Sequence, residues 1–362
     1  MADQHSVRAR ACDVQDQMRA MVTSHFVSQI VRAAVDLSLA DHLAGEALTA
    51  AQVAEREGSA PDTTFRFMRA CVAVGLLTAD THNRFASTSL LETLRKDTPG
   101  SLRGLALATT LPAQWLSWNE FTASVRTGHS QASVALGMDF FDYLERHPSQ
   151  ARDFSAGLSS TTSLWAADIA KAIDTTGVAL AVDVGGATGS LLQLLQEANP
   201  TLHGIVFDRP NIADDAAAQI AQRGFPDRTD VVGGDFFESV PPADLYLLKF
   251  ILHDWDDQRA IKILQRCREA MAPGGRIAIV EMVLGDLNDP GLGALIDMNM
   301  LAAGPGRERS LDEYDALLVA AGLRRTAVLA TSSPQSIIVA VVAPADHGPA
   351  TTSHSKSIVA LG

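Results

Sequence analysis

Cysteine is scarce in this chain. The 362 residues hold three, Cys12, Cys71 and Cys267, far apart and without a Cys-x-x-Cys pair. That argues against a disulfide framework or a cysteine zinc site and leaves small buried thiols in a reducing compartment as the expectation. Long apolar runs are missing too. No stretch reaches the ~18 residues that span a bilayer. No apolar h-region follows the charged N-terminus, so a cytoplasmic location is expected. Positive charge is outweighed, with 29 basic residues against 42 acidic and a net charge of −13. A chain this acidic gains little from nucleic acid or an anionic membrane, and neither is an expected partner.

What is present is ordinary for a globular protein: 47% hydrophobic and 20% charged residues. The length exceeds one ordinary core, so more than one domain is expected. Residues 1–12 read as a loose polar tail. From Asp13 to Leu43 apolar residues recur at helical spacing, as in Ile30, Ala33, Ala34 and Leu37. Helices follow at Ala50–Glu57, behind Thr49 as a candidate N-cap, and at Asp62–Val74, behind Pro61 and ending at Gly75. Leu76–Thr78 and Arg84–Ser87, around a turn at Asp80–Asn83, read as a hairpin. Three helices and a hairpin make a winged helix, which raises the alternative of a DNA-binding regulator. Residues 1–100 hold ten Lys and Arg against twelve Asp and Glu. The would-be recognition helix offers only Arg66 and Arg69 among Phe65, Phe67 and Met68, which disfavours a DNA reader.

Residues 100–172 carry helical patterns. Trp115, Trp118 and Phe121, and the cluster Phe140, Phe141 and Leu144, read as core, with a pocket lining as the alternative. From about Leu180 the texture changes to alternating strands and helices. Strands are expected at Ala179–Val184, His203–Phe207, Thr229–Val232, Asp244–Lys249 and Arg276–Val280. Helices are expected at Ser190–Glu197, Ile212–Arg223 and Gln258–Met271. This is an α/β pattern, a mostly parallel, Rossmann-like sheet covered on both faces. Helix Leu311–Ala321 and strands Leu323–Leu329 and Ser336–Val342 then predict an antiparallel hairpin at its end.

Val182-Asp183-Val184-Gly185-Gly186-Ala187-Thr188-Gly189 joins the first strand to its helix. Its glycines allow a sharp turn and close backbone approach to a ligand at the strand carboxyl ends. A dinucleotide fingerprint aligned on Gly186 and Gly189 would need glycine at 184, where Val184 stands. Asp208, nineteen residues past Gly189, is placed to accept hydrogen bonds from ribose hydroxyls. That feature is common to NAD and S-adenosylmethionine enzymes. Gly234-Asp235-Phe236 offers a carboxylate and a ring face to an adenine. Lys249 ends the fourth strand at the same edge.

His253-Asp254-Trp255 follows directly. A phenol has a pKa near ~10, and a histidine near ~6.5 can take its proton as the oxygen attacks a methyl carbon. Glu281, at the end of the fifth strand, Glu308 and Asp254 are candidate partners for the other ring nitrogen. Asp254, Asp256 and Asp257 open a helix, where acids are favoured without a metal. No metal ligand set is expected.

Together these residues resemble the family of plant caffeate-type and bacterial aromatic-polyketide O-methyltransferases. The resemblance spans about residues 15–343. It rests on Val182–Gly186 with Thr188-Gly189, Phe207-Asp208-Arg209-Pro210, Gly234-Asp235-Phe236-Phe237, Leu248-Lys249, Ile251–Trp255, Glu281 and Gly306-Arg307-Glu308-Arg309-Ser310. It implies S-adenosylmethionine held by Gly185, Gly186, Asp208, Gly234, Asp235, Phe236 and Lys249. It further implies His253 as base flanked by Glu281 and Glu308, and a homodimer whose N-terminal domain exchanges helices and helps close the partner's pocket. Phe154, Leu158, Thr161, Met298, Asn299 and Met300 fall where the family lines its substrate site. The implied divisions are a winged-helix-like dimerisation domain at 1–100, a helical pocket region at 101–172, the cofactor domain at 173–343 and a disordered tail at 344–362. The acceptor expected is a phenolic hydroxyl of a small aromatic metabolite. Alternatives on the same fold are methylation of a ring nitrogen and hydroxylation of an aromatic polyketide. Ala187 replaces a third glycine usual in the plant enzymes. Asn299–Pro305 lacks their His-Asn pair, so a phenylpropanoid substrate is not implied.

Overall fold

The computed structural model describes residues 14–344 apart from residue 224, and it leaves out the side chains of 158–164, 211, 214, 215, 219, 222 and 223. The expected tails therefore lie outside the described residues, save Pro344.

The first helix runs Val14–Asp36, shorter than expected. Ser38 takes φ 46° and a second short helix covers Leu39–His42. The break brings Leu39, Ala40 and Leu43 into one core with Ala34, Val35, Val53, Met68 and Cys71. Periodicity reported the buried face but not the turn within it. Thr49 caps helix Ala50–Glu57 in a reciprocal capping box with Gln52, and Pro61 opens helix Pro61–Ala73. Strands β1 (Leu48–Thr49), β2 (Leu77–Ala79) and β3 (Arg84–Ser87) form an antiparallel sheet in the order β1-β3-β2. Two-residue β1 was too short for any alternation to show. Cys71 and Cys267 are buried free thiols; Cys12 lies outside the described residues.

Six helices fill residues 103–172. Trp115 and Trp118 are not core: they are 36% and 40% exposed. Helix Pro112–Asn119 buries Ala113, Gln114 and Ser117 instead, and Phe121 begins a separate helix, so the three aromatics share no single helical face. Phe140 and Leu144 are buried as expected, whereas Phe141 is exposed. Helices Arg103–Thr109 and Pro148–Ala172 cross tightly at Gly157, where a Cβ would stand 2.2 Å from the Ala108 Cβ.

The large sheet holds seven strands: β4 (Leu180–Val184), β5 (His203–Asp208), β6 (Thr229–Gly233), β7 (Ala243–Lys249), β8 (Met271–Met282), β9 (Leu323–Ala330) and β10 (Gln335–Val342). Their order is β6-β5-β4-β7-β8-β10-β9. The first five are parallel, and β10 runs antiparallel between β8 and β9. This is the α/β sheet with an antiparallel end that the alternation predicted. Pro273–Gly275 lies within β8 at an irregularity in its pairing with β7, with Gly274 at φ 82°. Two cores cover the two faces, one around Tyr246, Ile263, Ile279 and Tyr314, the other around Leu192, Leu202, Leu247 and Val280. Chain order reverses between β4 and β7. Their carboxyl ends therefore open the crevice where ligands of such sheets bind.

Candidate active site

Two segments meet at that crevice. After β4, Gly185 turns the chain at φ 68° and its N–H donates to the Phe207 carbonyl at 2.7 Å. A Cβ on Gly185 would stand 2.4 Å from the Ile251 Cδ1, and one on Gly186 would crowd Asp183. Ala187 sits at φ 46°, in the left-handed region that costs an L-residue roughly 1–2 kcal/mol. Its N–H donates to Asp208 Oδ2 at 2.9 Å, and Oδ1 accepts the Arg209 N–H at 2.7 Å. Asp208 thus holds the glycine turn through Oδ2 and the Arg209 amide through Oδ1, which leaves acceptor capacity on each oxygen. Asp235 is exposed and accepts the Phe237 N–H at 2.8 Å. A Cβ on Gly234 would strike the Phe207 ring. The Phe236 ring lies against Gly185 and edge-on to Trp255. Beneath the turn, burial pushes the Asp183 carboxyl up to about 7. Burial also pulls the Lys249 ammonium down to about 8, against the attraction of Asp183 and Glu281. The Lys249 Nζ lies 4.6 Å over the Phe250 ring.

The second segment follows β7. Phe250 adopts φ 54°, unusual for a bulky residue and a recognised site of stored strain. The kink leads into a single 3-10 turn, Leu252–Asp254, and stacks the Phe250 ring on His253 at 5.2 Å between centroids. His253 Nδ1 lies 2.8 Å from Glu308 Oε1, 3.8 Å from Glu281 Oε2, and its Nε2 3.4 Å from Asp254 Oδ1. An ionised carboxylate only accepts, so the Nδ1–H donates to Glu308, while Nε2 carries a proton facing Asp254 when the ring is charged and a lone pair when it is neutral. The three acids divide the work. Glu308 partners the ring. Glu281 Oε1 accepts the N–H groups of Ile251, Leu252 and His253 at 3.0, 2.9 and 3.4 Å. Asp254 flanks the other nitrogen. Asp256 caps helix Asp257–Ala270.

Burial pulls the His253 pKa down, but Glu281, Asp254 and Glu308 outweigh it and raise it to about 10. This is well above the ordinary histidine value of about 6.5. Burial pushes Glu281 up to about 7. Glu281 Oε2, Glu308 Oε2 and the Tyr314 hydroxyl are buried without a hydrogen-bond partner among the described residues.

Sequence reasoning missed the residues that hold this turn. Gly306 passes so close that a Cβ would stand 2.0 Å from the His253 carbonyl oxygen. The Arg307 N–H donates to that oxygen at 2.8 Å. Asp297 Oδ1 accepts the Glu308 N–H at 2.9 Å. Arg309 is wholly buried under the turn. Close glycine approach was the one readable signal.

The residues named for a substrate divide. Asn299 accepts the Trp118 indole N–H at 3.0 Å, and Met298 and Met300 flank it on helix Gly293–Ala303. Phe154 packs edge-on against Phe140 and Phe141, on a core that Ala303 also flanks. The side chains of Leu158 and Thr161 lie outside the described residues. His253, Glu281 and Glu308 present donor atoms within 4.8 Å of one another, as a metal site would, although no metal was expected.

An O-methyltransferase domain profile matches residues 118–324, and an O-methyltransferase dimerisation domain profile matches residues 20–97. The chain belongs to the O-methyltransferase family. A phenazine O-methyltransferase of Lysobacter antibioticus is 34% identical over 334 residues, 92% of this chain and 98% of that one. The crystal structure of an O-methyltransferase from neocarzinostatin biosynthesis, with S-adenosylmethionine and 2-hydroxy-5-methyl naphthoic acid, is 34% identical with a TM-score of 0.75, covering 87% and 96% of the two chains. That of a riboflavin-derivative N,N-dimethyltransferase from Streptomyces davawensis is 27% identical with a TM-score of 0.78, covering 91% and 99%. The O-methyltransferase is S-adenosylmethionine-dependent and of the aromatic-product class. The glycine turn that no Cβ could share and the half-engaged Asp208 carboxylate suit that cofactor. Among the described residues of the methyltransferase no helix is long and apolar enough to cross a membrane.

Proposed function

We propose that the enzyme methylates a phenolic hydroxyl of a small aromatic metabolite, with His253 as general base and no metal. The observation that carries this reading is the 2.8 Å contact between Nδ1 and buried Glu308, which engages that nitrogen and leaves Nε2, beside Asp254, as the one to exchange a proton. When bound, S-adenosylmethionine supplies an electrophilic methyl carbon. Gly185 and Gly186 give it a close backbone seat. Asp208 offers its remaining lone pairs to the ribose, Asp235 and Phe236 offer a carboxylate and a ring to the adenine in the loop opened by Gly234, and Lys249 closes the same edge. His253 Nε2 would take the acceptor hydroxyl's proton and Glu308 would stabilise the imidazolium that forms, while the bound cofactor would give up its methyl group and keep the carbon–sulfur electron pair on its thioether as leaving group. Glu281 holds the base by its backbone. Phe154, Met298, Asn299 and Met300 line the acceptor's pocket; Leu158 and Thr161 stand as candidates by the family resemblance alone.

His253→Ala should abolish turnover on phenols while S-adenosylhomocysteine still binds by calorimetry; turnover near wild type would remove His253 as base. A chelator should leave the rate unchanged.

The N,N-dimethyltransferase among the structural neighbours keeps a nitrogen acceptor open as a second reading. A screen of phenols and aromatic amines with labelled cofactor separates the two. The N-terminal helix favours a homodimer: Val14, Met18, Met21, Val22 and Phe26 form an exposed apolar stripe. A winged-helix regulator would instead shift genomic DNA fragments at physiological salt, and none should shift. Cores around Ala34–Leu94, Leu111–Leu144 and the two sheet faces support three divisions close to 1–100, 101–172 and 173–343, with Ala106 and Leu107 packing on the first core and Ile169 and Ala170 joining a sheet face.

A further inference from the structure

We infer that Arg309 is a positioning residue for the catalytic turn, holding its carbonyl side as Glu281 holds its amide side. The inference rests on the reading of His253 as base. A guanidinium has five N–H donors, and here each has an acceptor. Nε and Nη2 donate to Asp257 Oδ1 at 3.0 and 2.9 Å. Nη2 also donates to the Trp255 carbonyl at 2.7 Å. Nη1 donates to the Leu252 carbonyl at 2.9 Å and to the Arg307 carbonyl at 3.4 Å.

Leu252 and Trp255 bracket His253 in sequence. Their carbonyls point to Arg309, while the N–H groups of Ile251, Leu252 and His253 point to Glu281. The turn is thus held between a buried cation and a buried anion of opposite preference, each matched to one side of the peptide dipoles. Arg309 is itself fixed. Its backbone forms a parallel bridge with Val283, and the Leu284 N–H donates to its carbonyl at 3.0 Å. Its neighbour Glu308 carries the ring contact. A shift of Arg309 therefore moves the turn and loosens the His253–Glu308 pair together. Lysine cannot replace the fork, because one ammonium cannot reach Asp257, Leu252 and Trp255 in the guanidinium's plane. A misplacement of about 1 Å at a reacting group can cost about 10²-fold in rate.

The test uses Arg309→Lys in the full chain, with Asp257→Ala as a second variant that weakens the same lock from an exposed side chain. Three readouts are compared: amide hydrogen exchange over residues 251–255, kcat against pH, and S-adenosylhomocysteine affinity. Arg309→Lys should speed exchange in the turn and lower kcat about 10- to 100-fold. It should move the acid limb of the pH profile to lower pH, because the Glu308 contact weakens, and leave affinity within about twofold. Asp257→Ala should move all three the same way by less, and decides the matter if Arg309→Lys does not fold. Unchanged exchange in the turn, or an unchanged kcat and pH profile, overturns the inference. Failure of the base reading shows separately, as turnover retained by His253→Ala while exchange in Arg309→Lys still rises.

Discussion

Replacing Glu308 with glutamine separates charge from shape at the proposed base, His253. The amide keeps an acceptor for the His253 Nδ1–H, so the ring can stay where it is, but the negative charge is lost. In the wild type the carboxylates overcome burial and raise the His253 pKa to about 10. A base must be deprotonated to act, so wild-type turnover should climb as pH rises through neutrality toward that value. A hydrogen bond to an ionised partner contributes about 1.5–3 kcal/mol, and one pKa unit corresponds to about 1.4 kcal/mol. Neutralising Glu308 should therefore move the acid limb down by about one to two pH units. The same loss leaves the imidazolium less supported in the transition state, so kcat on the alkaline plateau should fall about 10- to 100-fold, at about 1.4 kcal/mol for each factor of ten. The assay is kcat from pH 5 to 11 under saturating cofactor, with the ring titration followed in parallel by histidine proton resonances. An acid limb that stays in place or moves upward would refute the assignment of Glu308 as the charge that holds His253.

Three further outcomes are expected. Gly306→Ala forces a methyl group against the His253 carbonyl oxygen and should cost about 1–3 kcal/mol of stability by thermal unfolding, with turnover lost in the fraction that folds. Asp208→Ala removes the acceptor that holds Ala187 in its left-handed conformation and should weaken S-adenosylhomocysteine binding at least about tenfold, about 1.4 kcal/mol by calorimetry; an unchanged affinity would dismiss Asp208 as a ligand. Met18→Glu with Phe26→Glu should convert a dimer to monomers in sedimentation velocity, and a persisting dimer would place the interface elsewhere.

Much of the sheet was readable because its strands are short apolar runs punctuated by glycine, proline and acids. The glycine turn was readable for the same local reason. What escaped the sequence is non-local. Glu281, Glu308 and Asp254 were all plausible partners for one histidine. Only the fold shows that Glu281 faces three amides and Glu308 faces the ring. Arg309 reads in sequence as one more charge in an Arg-Glu-Arg run, yet it is wholly buried. The exposure of Trp118 was hidden in another way. Aromatic spacing suggested a core, but the packing surface of that helix is made by Ala113, Gln114 and Ser117, a choice set by the helices it meets.

The antiparallel strand at the end of the sheet bears on where mutations will be tolerated. Because β10 lies between β8 and β9, Glu281 pairs with Ser336 and never stands at a sheet margin. β10, more than fifty residues past Glu281 in sequence, thus pairs the strand that carries this carboxylate. Trimming or loosening the last hairpin should let water reach Glu281 and relax its hold on the turn. Truncations there should act as substitutions in the His253 turn would.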